Sequence, residues 1–336
     1  MAQKEILSMK HIEKSFAGVH ALKGVSFDLL QGEIHALVGE NGAGKSTLMN
    51  VLTGIHPKDS GEIYYFNRLL NPKGPKHALE LGIGIIHQEL NMMDHLTVAQ
   101  NIFIGREFTN SSGIFLDEKT LNRETEKLFK RLNVNIDPAE TLGKLTVGKQ
   151  QMVEIARAVS HDLRILILDE PTAALSNQEI SDLFNIMRDL ASKGVAMIHI
   201  SHRLEEIAQI TDRVTVLRDG ANAGSKLTKE VDRQEIINMM VGRVIYEQPK
   251  QESTVKKGAP VVLSVRNLNA GKMVQNVSFD LKKGEILGFA GLIGAGRTET
   301  ARAVFGADKV LSGSIQINGR PVDIRSPQNA VDHGLG

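Results

Sequence analysis

Three features of the 336-residue sequence predict an α/β chain with a central, mostly parallel sheet, a small antiparallel β subdomain, a helical subdomain and the start of a second copy. Two continuous apolar runs, 165–168 and 195–200, flank a helical stretch at 177–191, the pattern of parallel strands covered on both faces. A third apolar run, 34–38, feeds a glycine-rich turn that opens a helix. Finally, much of the segment around that turn returns later in altered form.

From the N-terminus, 6–9, 24–30 and 62–66 read as short strands flanking the glycine turn, which gives the antiparallel subdomain. Leu121, Leu128 and Leu132 among the charges of 117–132 predict an amphipathic helix, and 150–160 predicts another after the turn at Gly148. These two make the helical insert. The return of the first segment keeps one offset, 291 − 39 = 252. At that offset Ser26, Phe27, Asp28 and Leu29 fall on Ser278, Phe279, Asp280 and Leu281, and Gly32, Glu33 and Ile34 fall on Gly284, Glu285 and Ile286. Ser60 and Gly61 meet Ser312 and Gly313, Arg68 meets Arg320, and Gly82 meets Gly334. Upstream the offset is 256, with Leu7 on Leu263 and Ser8 on Ser264, so the second copy is four residues shorter there. A polar stretch punctuated by Pro249 reads as a linker. The expected organisation is a first unit at 1–247, a linker at 248–259, and the N-terminal part of a second unit at 260–336, with the chain stopping early in that second copy.

A content of 41% apolar and 24% charged residues is that of a globular chain with a sizeable core. The absence of cysteine excludes disulfides and thiolate metal sites. No apolar run approaches the ~18 residues a membrane span needs, and no secretory leader is evident, so a cytoplasmic placement is expected. A formal charge of +1 gives no global attraction to nucleic acid or anionic lipid.

The glycine turn is Gly39, Glu40, Asn41, Gly42, Ala43, Gly44, Lys45, Ser46, Thr47, a phosphate-binding loop. Its glycines let backbone N–H groups approach phosphate oxygens, Lys45 reaches the β- and γ-phosphates, and the Ser46 hydroxyl faces Mg²⁺. The run at 165–168 ends in Asp169 and Glu170, two carboxylates at the C-terminal edge of a buried strand, where parallel sheets keep their ligands. Asp169 suits Mg²⁺ and Glu170 suits polarising an attacking water.

With what lies between them, these motifs resemble the nucleotide-binding domains of ATP-binding-cassette transporters, over residues 5 to about 245. The resemblance implies a P-loop NTPase cassette using ATP and Mg²⁺. Gln88 matches the glutamine that senses Mg²⁺ and the attacking water, and its loop would contact a membrane subunit, with Met92 and Met93 as either docking residues or core residues. Leu145, Thr146, Val147, Gly148 and Lys149 match the signature motif. Ala173 to Ser176 match the D-loop, His202 matches the switch histidine that contacts the γ-phosphate, and Phe16 matches the adenine-stacking aromatic.

Two departures qualify the match. Thr146, Val147, Gly148 and Lys149 stand where Ser-Gly-Gly-Gln is usual, which implies a weak signature. In the second copy Gly291, Gly294 and Gly296 persist but Arg297, followed by Thr298, replaces the lysine, and Asn269, Ala270 and Gly271 supply no aromatic. One good loop with a weak signature, then one weak loop, resembles the tandem ATPase subunits of bacterial sugar importers. The stretches at 82–91, 96–107, 241–243 and 325–328 look most like ribose importers. The implied partners are integral-membrane sugar permease subunits, a periplasmic or extracellular sugar-binding protein acting through them, and a second cassette half, with the chain peripheral on the cytoplasmic face of the inner membrane. A soluble cassette ATPase of translation or DNA repair is the alternative. It would want nucleic-acid contacts or a long coiled-coil insertion, and the sequence carries neither. A regulatory cassette that binds ATP without turnover is opposed by Lys45, Asp169, Glu170 and His202.

Overall fold

The structure, a computed structural model, describes residues 4–87, 91–110, 115–173, 175–242, 255–256, 258–291 and 294–336. The chain divides into two compact units, Met1–Ile245 and Tyr246–Gly336. Of the expected linker only Val255, Lys256, Gly258 and Ala259 are among the described residues.

The first unit opens with β1 (Glu5–Phe16), β2 (Val19–Leu30), β3 (Ile34–Val38), α1 (Lys45–Leu52), β4 (Ser60–Tyr65), β5 (Arg68–Leu69), α2 (Pro75–Glu80) and β6 (Ile83–Ile86). Three helices follow, α3 (Val98–Phe103), α4 (Glu118–Leu132) and α5 (Val147–Val159). It closes with β7 (Ile165–Asp169), α6 (Asn177–Ser192), β8 (Ala196–Ile200), α7 (Leu204–Ile210), β9 (Arg213–Arg218), β10 (Ala221–Leu227) and α8 (Arg233–Val241).

The strands form two sheets. An antiparallel sheet runs β2-β1-β4-β5, and a six-stranded sheet runs β10-β9-β3-β8-β7-β6. In the latter only β10 is antiparallel. All five residues of β3 and all five of β8 are buried, as continuous apolar runs in a doubly covered sheet require. One core cluster packs between the two sheets around α1, with Leu22, Leu37, Leu48 and Ile198, and another lies on the opposite face with α5 and α6, including Val153, Leu166 and Phe184.

The first strand is twelve residues rather than the four expected at 6–9. A bulge between Met9 and Ile12 explains the difference: His11 takes a left-handed φ of 49° and its N–H bonds Ser26 Oγ at 3.0 Å. The extra residue breaks the in–out alternation that marks a strand in sequence. In the helical insert, Asp117 caps α4 by accepting from Thr120 N, and Leu121, Leu128 and Leu132 are buried as their spacing predicts. Helix α5 starts at Val147, not at 150, because the Thr146 side chain accepts from Lys149 N and caps the helix within the signature segment.

The second unit contains β11 (Val261–Ala270), β12 (Val274–Lys282), α9 (Arg297–Val304), β13 (Val310–Ile317), β14 (Arg320–Val322) and α10 (Pro327–Asp332), with sheet order β12-β11-β13-β14. Its register repeats the first unit residue for residue. Leu7↔Leu29 and Met9↔Phe27 become Leu263↔Leu281 and Val265↔Phe279, and Met9↔Ile63 becomes Val265↔Ile315. The bulge recurs too, with Asn267 at φ 51° and its N–H on Ser278 Oγ. The four missing residues come out of the hairpin tip. Lys14↔Leu22 corresponds to Ala270↔Val274, so 15–21 are replaced by 271–273 and the piece carrying Phe16 is gone. Residues 286–290, the counterparts of β3, form no strand, and Ile286 is 93% exposed.

Candidate functional site

The end of β3 and the turn after it are built around close backbone approaches. Gly39 has φ 156°, and a Cβ there would lie 2.3 Å from the Leu217 carbonyl oxygen of β9, so no side chain fits. Gly44, also left-handed, precedes α1 and leaves its first N–H groups free to face an anion. Ala43 is buried, whereas Glu40, Asn41 and Gly42 are exposed at the rim. Lys45 folds back over the loop, donating to the Gly39 carbonyl at 2.8 Å and the Glu40 carbonyl at 3.1 Å. Burial pushes its ammonium below the ordinary value, while the Glu170 and Asp169 carboxylates pull the other way.

A cavity of about 370 Å³ joins this loop to the end of β7: Asn41, Gly42, Gly44, Lys45, Ser46 and Thr47 line it together with Asp169 and Glu170. Burial, then repulsion from Glu170, raises the Asp169 carboxyl, and Lys45, His87 and a hydrogen bond from Ser46 oppose that rise. Ser46 and Asp169 thus meet as a hydroxyl and a carboxylate, hard oxygen ligands of the kind Mg²⁺ takes. Among the described residues no cluster of three or more His, Cys, Asp or Glu could hold a metal unaided, so further oxygens would come from bound phosphate or water.

Glu170 takes a left-handed φ of 49°, a strained conformation for a residue with a side chain. Its Oε1 lies 3.0 Å from His202 Nδ1, so the two residues singled out for hydrolysis touch. Phe16, at the end of β1, is 37% exposed, meets the His56 ring edge-on at 5.0 Å, and has the Lys14 ammonium 5.3 Å from its centroid. Asp59 anchors that lysine at 2.8 Å and also accepts from Ser15 N.

Leu145, Thr146, Val147, Gly148 and Lys149 do not line the phosphate-loop cavity. Leu145 packs against the core, Thr146 caps α5, Val147 is half exposed, and Lys149 lines a separate cleft of about 470 Å³ beside Glu179 and Asp182. The crowded position in this motif is Gly148, where a Cβ would fall 2.0 Å from Glu179 Oε1. The same Glu179 closes the capping box of α6 with Ser176. Gln88 and Ala174 lie outside the described residues. Met92 packs against the lower core, while Met93 is 48% exposed.

In the second unit Gly296, at φ 81°, precedes α9 and Arg297 opens it, followed by Thr298 inside the helix. A Cβ on Gly291 would lie 2.9 Å from the Ala295 Cβ, close to the 3.0 Å between Gly39 and Ala43. Gly294 is left-handed as well. The left-handed glycines Gly294 and Gly296 match Gly42 and Gly44, although the lysine that follows them is not kept.

Sequence reading missed Thr172, Ser201 and Glu206, which join beneath the Glu170–His202 pair. A threonine just after two singled-out carboxylates, and a glutamate one helical turn after the histidine, were the available signals.

Three kinds of comparison bear on this arrangement. A protein of Albidiferax ferrireducens provisionally named ribose/galactose/methyl galactoside import ATP-binding protein is 52% identical over 331 residues, 98% of this chain and 65% of that protein. The ribose import ATP-binding protein RbsA 3 of Rubrobacter xylanophilus is 46% identical over 332 residues, 98% of this chain and 66% of that one. The chain therefore spans just under two thirds of the length of these relatives. Among solved structures, the ADP conformation of an ATP-binding cassette of an ABC transporter superposes with a TM-score of 0.61 at 28% identity, covering 70% of this chain and 95% of that one. A nucleotide-free cassette gives the same score and identity over 73% and 96%. The sequence profile of the ABC transporter family matches residues 22–173 and again 274–333, in both units. On that match and this fold, the chain belongs to the ABC transporter family.

Proposed function

We propose that this chain is an ATP-binding and ATP-hydrolysing subunit that couples ATP to the import of ribose or a related monosaccharide through a membrane permease. The observation that carries the reading is one cavity edge at which Lys45 and Ser46 of a phosphate loop face Asp169 and Glu170, with His202 in contact with Glu170. The printed names of the relatives supply the sugar.

In this reading the backbone N–H groups of 39–47 cradle the phosphates of ATP and Phe16 stacks on its adenine. Lys45 leaves the Gly39 and Glu40 carbonyls for the β- and γ-phosphate oxygens. Ser46 and Asp169, with Gln88, would hold Mg²⁺, which when bound neutralises charge on the β- and γ-phosphates. Glu170 accepts a proton from the water that attacks the γ-phosphorus as the bond to ADP breaks. His202 turns from Glu170 to the γ-phosphate oxygens. The segment Leu145 to Lys149 and the loop at Gly291, Gly294, Gly296, Arg297 and Thr298 form the impaired site of an asymmetric pair, and a complete second cassette half supplies the working signature. In this reading the first cassette is 1–247, the linker 248–259 and the N-terminal part of the second cassette 260–336. Permease subunits, and through them a sugar-binding protein outside the membrane, are the partners, with the chain at the cytoplasmic face of the inner membrane. Nucleic acid is not a partner. Among the described residues no helix is long and apolar enough to cross a membrane.

The test is ATP binding and steady-state hydrolysis by the chain, alone and with an added intact second cassette half, beside Lys45→Ala and Glu170→Gln controls. Binding that depends on Lys45, with turnover that depends on Glu170 and appears with the added half, is the expected result. Strong Glu170-dependent turnover by the chain alone would show that Thr146 to Lys149 is a working signature and would remove the asymmetry.

A further inference from the structure

One buried carboxylate holds both turns that carry the Glu170–His202 pair. Glu206, in the first turn of α7, is only 5% exposed. Its Oε2 accepts from Thr172 Oγ1 at 2.9 Å and from Ser201 Oγ at 3.1 Å, and its Oε1 accepts from Arg203 Nη1 at 3.1 Å. His199 Nε2 stands 3.7 Å away, beyond hydrogen-bond range. Ser201 Oγ also accepts from Arg203 N at 3.0 Å. The residues on either side of His202 are thus fastened to one side chain, and the remaining bond reaches Thr172, just past Glu170 and Pro171.

We propose that Glu206 is a positioning residue that clasps the 169–172 turn to the 201–203 turn and so sets the contact between Glu170 and His202. The inference deepens the ATP-hydrolysis reading and rests on it.

Two physical arguments favour a clasp over a filler of buried space. Glu170 sits in a left-handed conformation that costs roughly 1–3 kcal/mol and persists only where its surroundings over-determine it. Glu170 N bonds the Ile200 carbonyl at 2.9 Å and Ala173 N bonds the Glu170 carbonyl at 3.3 Å; the Thr172–Glu206 bond is a further restraint on that turn. The second argument concerns charge. Burial opposes ionisation of Glu206, yet its surroundings, with Thr172, Arg203 and Ser201 donating to it, outweigh burial and hold its carboxyl down at about 2. An anion accepts at both oxygens. In Glu206→Gln the amide oxygen can still serve Thr172 and Ser201, but the amide nitrogen then faces Arg203, donor against donor. The hydrogen bonds of Glu206 reach none of residues 39–47, so its substitution leaves the contacts of the phosphate loop itself in place.

The experiment compares the full 336-residue chain, with an added intact second cassette half, to Glu206→Gln, Thr172→Val, His202→Ala and the two double variants containing His202→Ala. Glu206→Gln and Thr172→Val are each expected to lower kcat by about tenfold to a hundredfold at unchanged nucleotide Kd. In the His202→Ala background neither should lower it further, since both act through that histidine. Losses that multiply in the double variants, a Kd that weakens with kcat, or a kcat within about twofold of wild type would each overturn the proposal. A second readout needs no turnover: in the ¹⁵N-histidine-labelled chain, the His202 Nδ1 resonance in Glu206→Gln should move toward its position in Glu170→Ala. If it stays in place, there is no clasp. If it moves while the wild-type assembly hydrolyses nothing, the clasp stands and the ATP-hydrolysis reading falls.

Discussion

Residues 34–38 and 286–290 hold the same place in their repeats, each following a Gly-Glu pair and leading into a glycine-rich turn and a helix. The first is a fully buried strand and the second is irregular and largely exposed, with Ile286, Leu287 and Phe289 open to solvent. Composition does not separate them, since both are apolar. What separates them is neighbours: β3 is hydrogen-bonded to β8 on one side and β9 on the other, and no described strand pairs with 286–290. The antiparallel part of the repeat, whose partners lie close by in sequence, forms in both units with the same register and the same bulge. Local pairing is common to both units. The parallel strand is where the units differ, and the ladder of β3 comes from far along the chain.

The sharpest way to break this comparison is a charge placed in each segment. Leu37→Asp puts an unpaired carboxylate on a fully buried strand and should cost more than about 4 kcal/mol, enough to unfold the first unit. Ile286→Asp should change stability by less than about 0.5 kcal/mol, read from chemical unfolding of each variant. A large loss from Ile286→Asp would mean that the second segment is covered after all. Next in size is the contrast between the two loops. Lys45→Ala should weaken ATP binding at least tenfold, through loss of roughly 1.5–3 kcal/mol of charge-assisted hydrogen bonding, measured by titration calorimetry. Arg297→Ala should shift it by less than about 0.5 kcal/mol.

The smallest effect tests whether pH sensitivity belongs to the first unit alone. Glu154, on α5, is raised to about 7 by burial, against the opposing pull of the Asn91 N–H and of Arg157. Its folded value lies above the ordinary 4.5, so the folded chain favours the protonated acid. The associated stability is complete below pH 4.5 and is lost as pH rises through 7. With screening, the loss is on the order of 1–3 kcal/mol. Glu154→Gln should flatten the fall of the first unit's Tm between pH 5 and 8 in calorimetry and leave the second unit's transition in place.

Much of this was legible in sequence because the decisive patterns are local. The glycine spacing of 39–47, the apolar runs ending in Asp169 and before Ser201, and the offset between the copies needed no tertiary information. What escaped depended on contacts between distant residues. The bulge at His11 hid most of β1, and Thr146 extended α5 into a motif read as a turn. Val147, which stands where the signature usually has a glycine, lies at the surface, and it is at Gly148 that an added Cβ would meet a neighbour, the Glu179 carboxylate. Glu206 escaped because its partners, Thr172 and Ser201, come from different strand ends. The loss of Phe16 from the second copy was legible in Asn269, Ala270 and Gly271 and in the change of offset, and the register shows that the whole hairpin tip went with it.

The long reach of β3 also sets a timetable for synthesis. Ile34 pairs with Met197 and Ala36 with Val214. At ~5–20 residues per second, the ribosome delivers those partners roughly 10–35 s after β3 itself has been made. During that interval the nascent chain can complete the β1–β2 hairpin and its β4 neighbour but must carry 34–38 without their ladder. A chaperone that binds short apolar segments has its longest opportunity at 34–38, and codon choice between 39 and 216 governs how long that opportunity lasts.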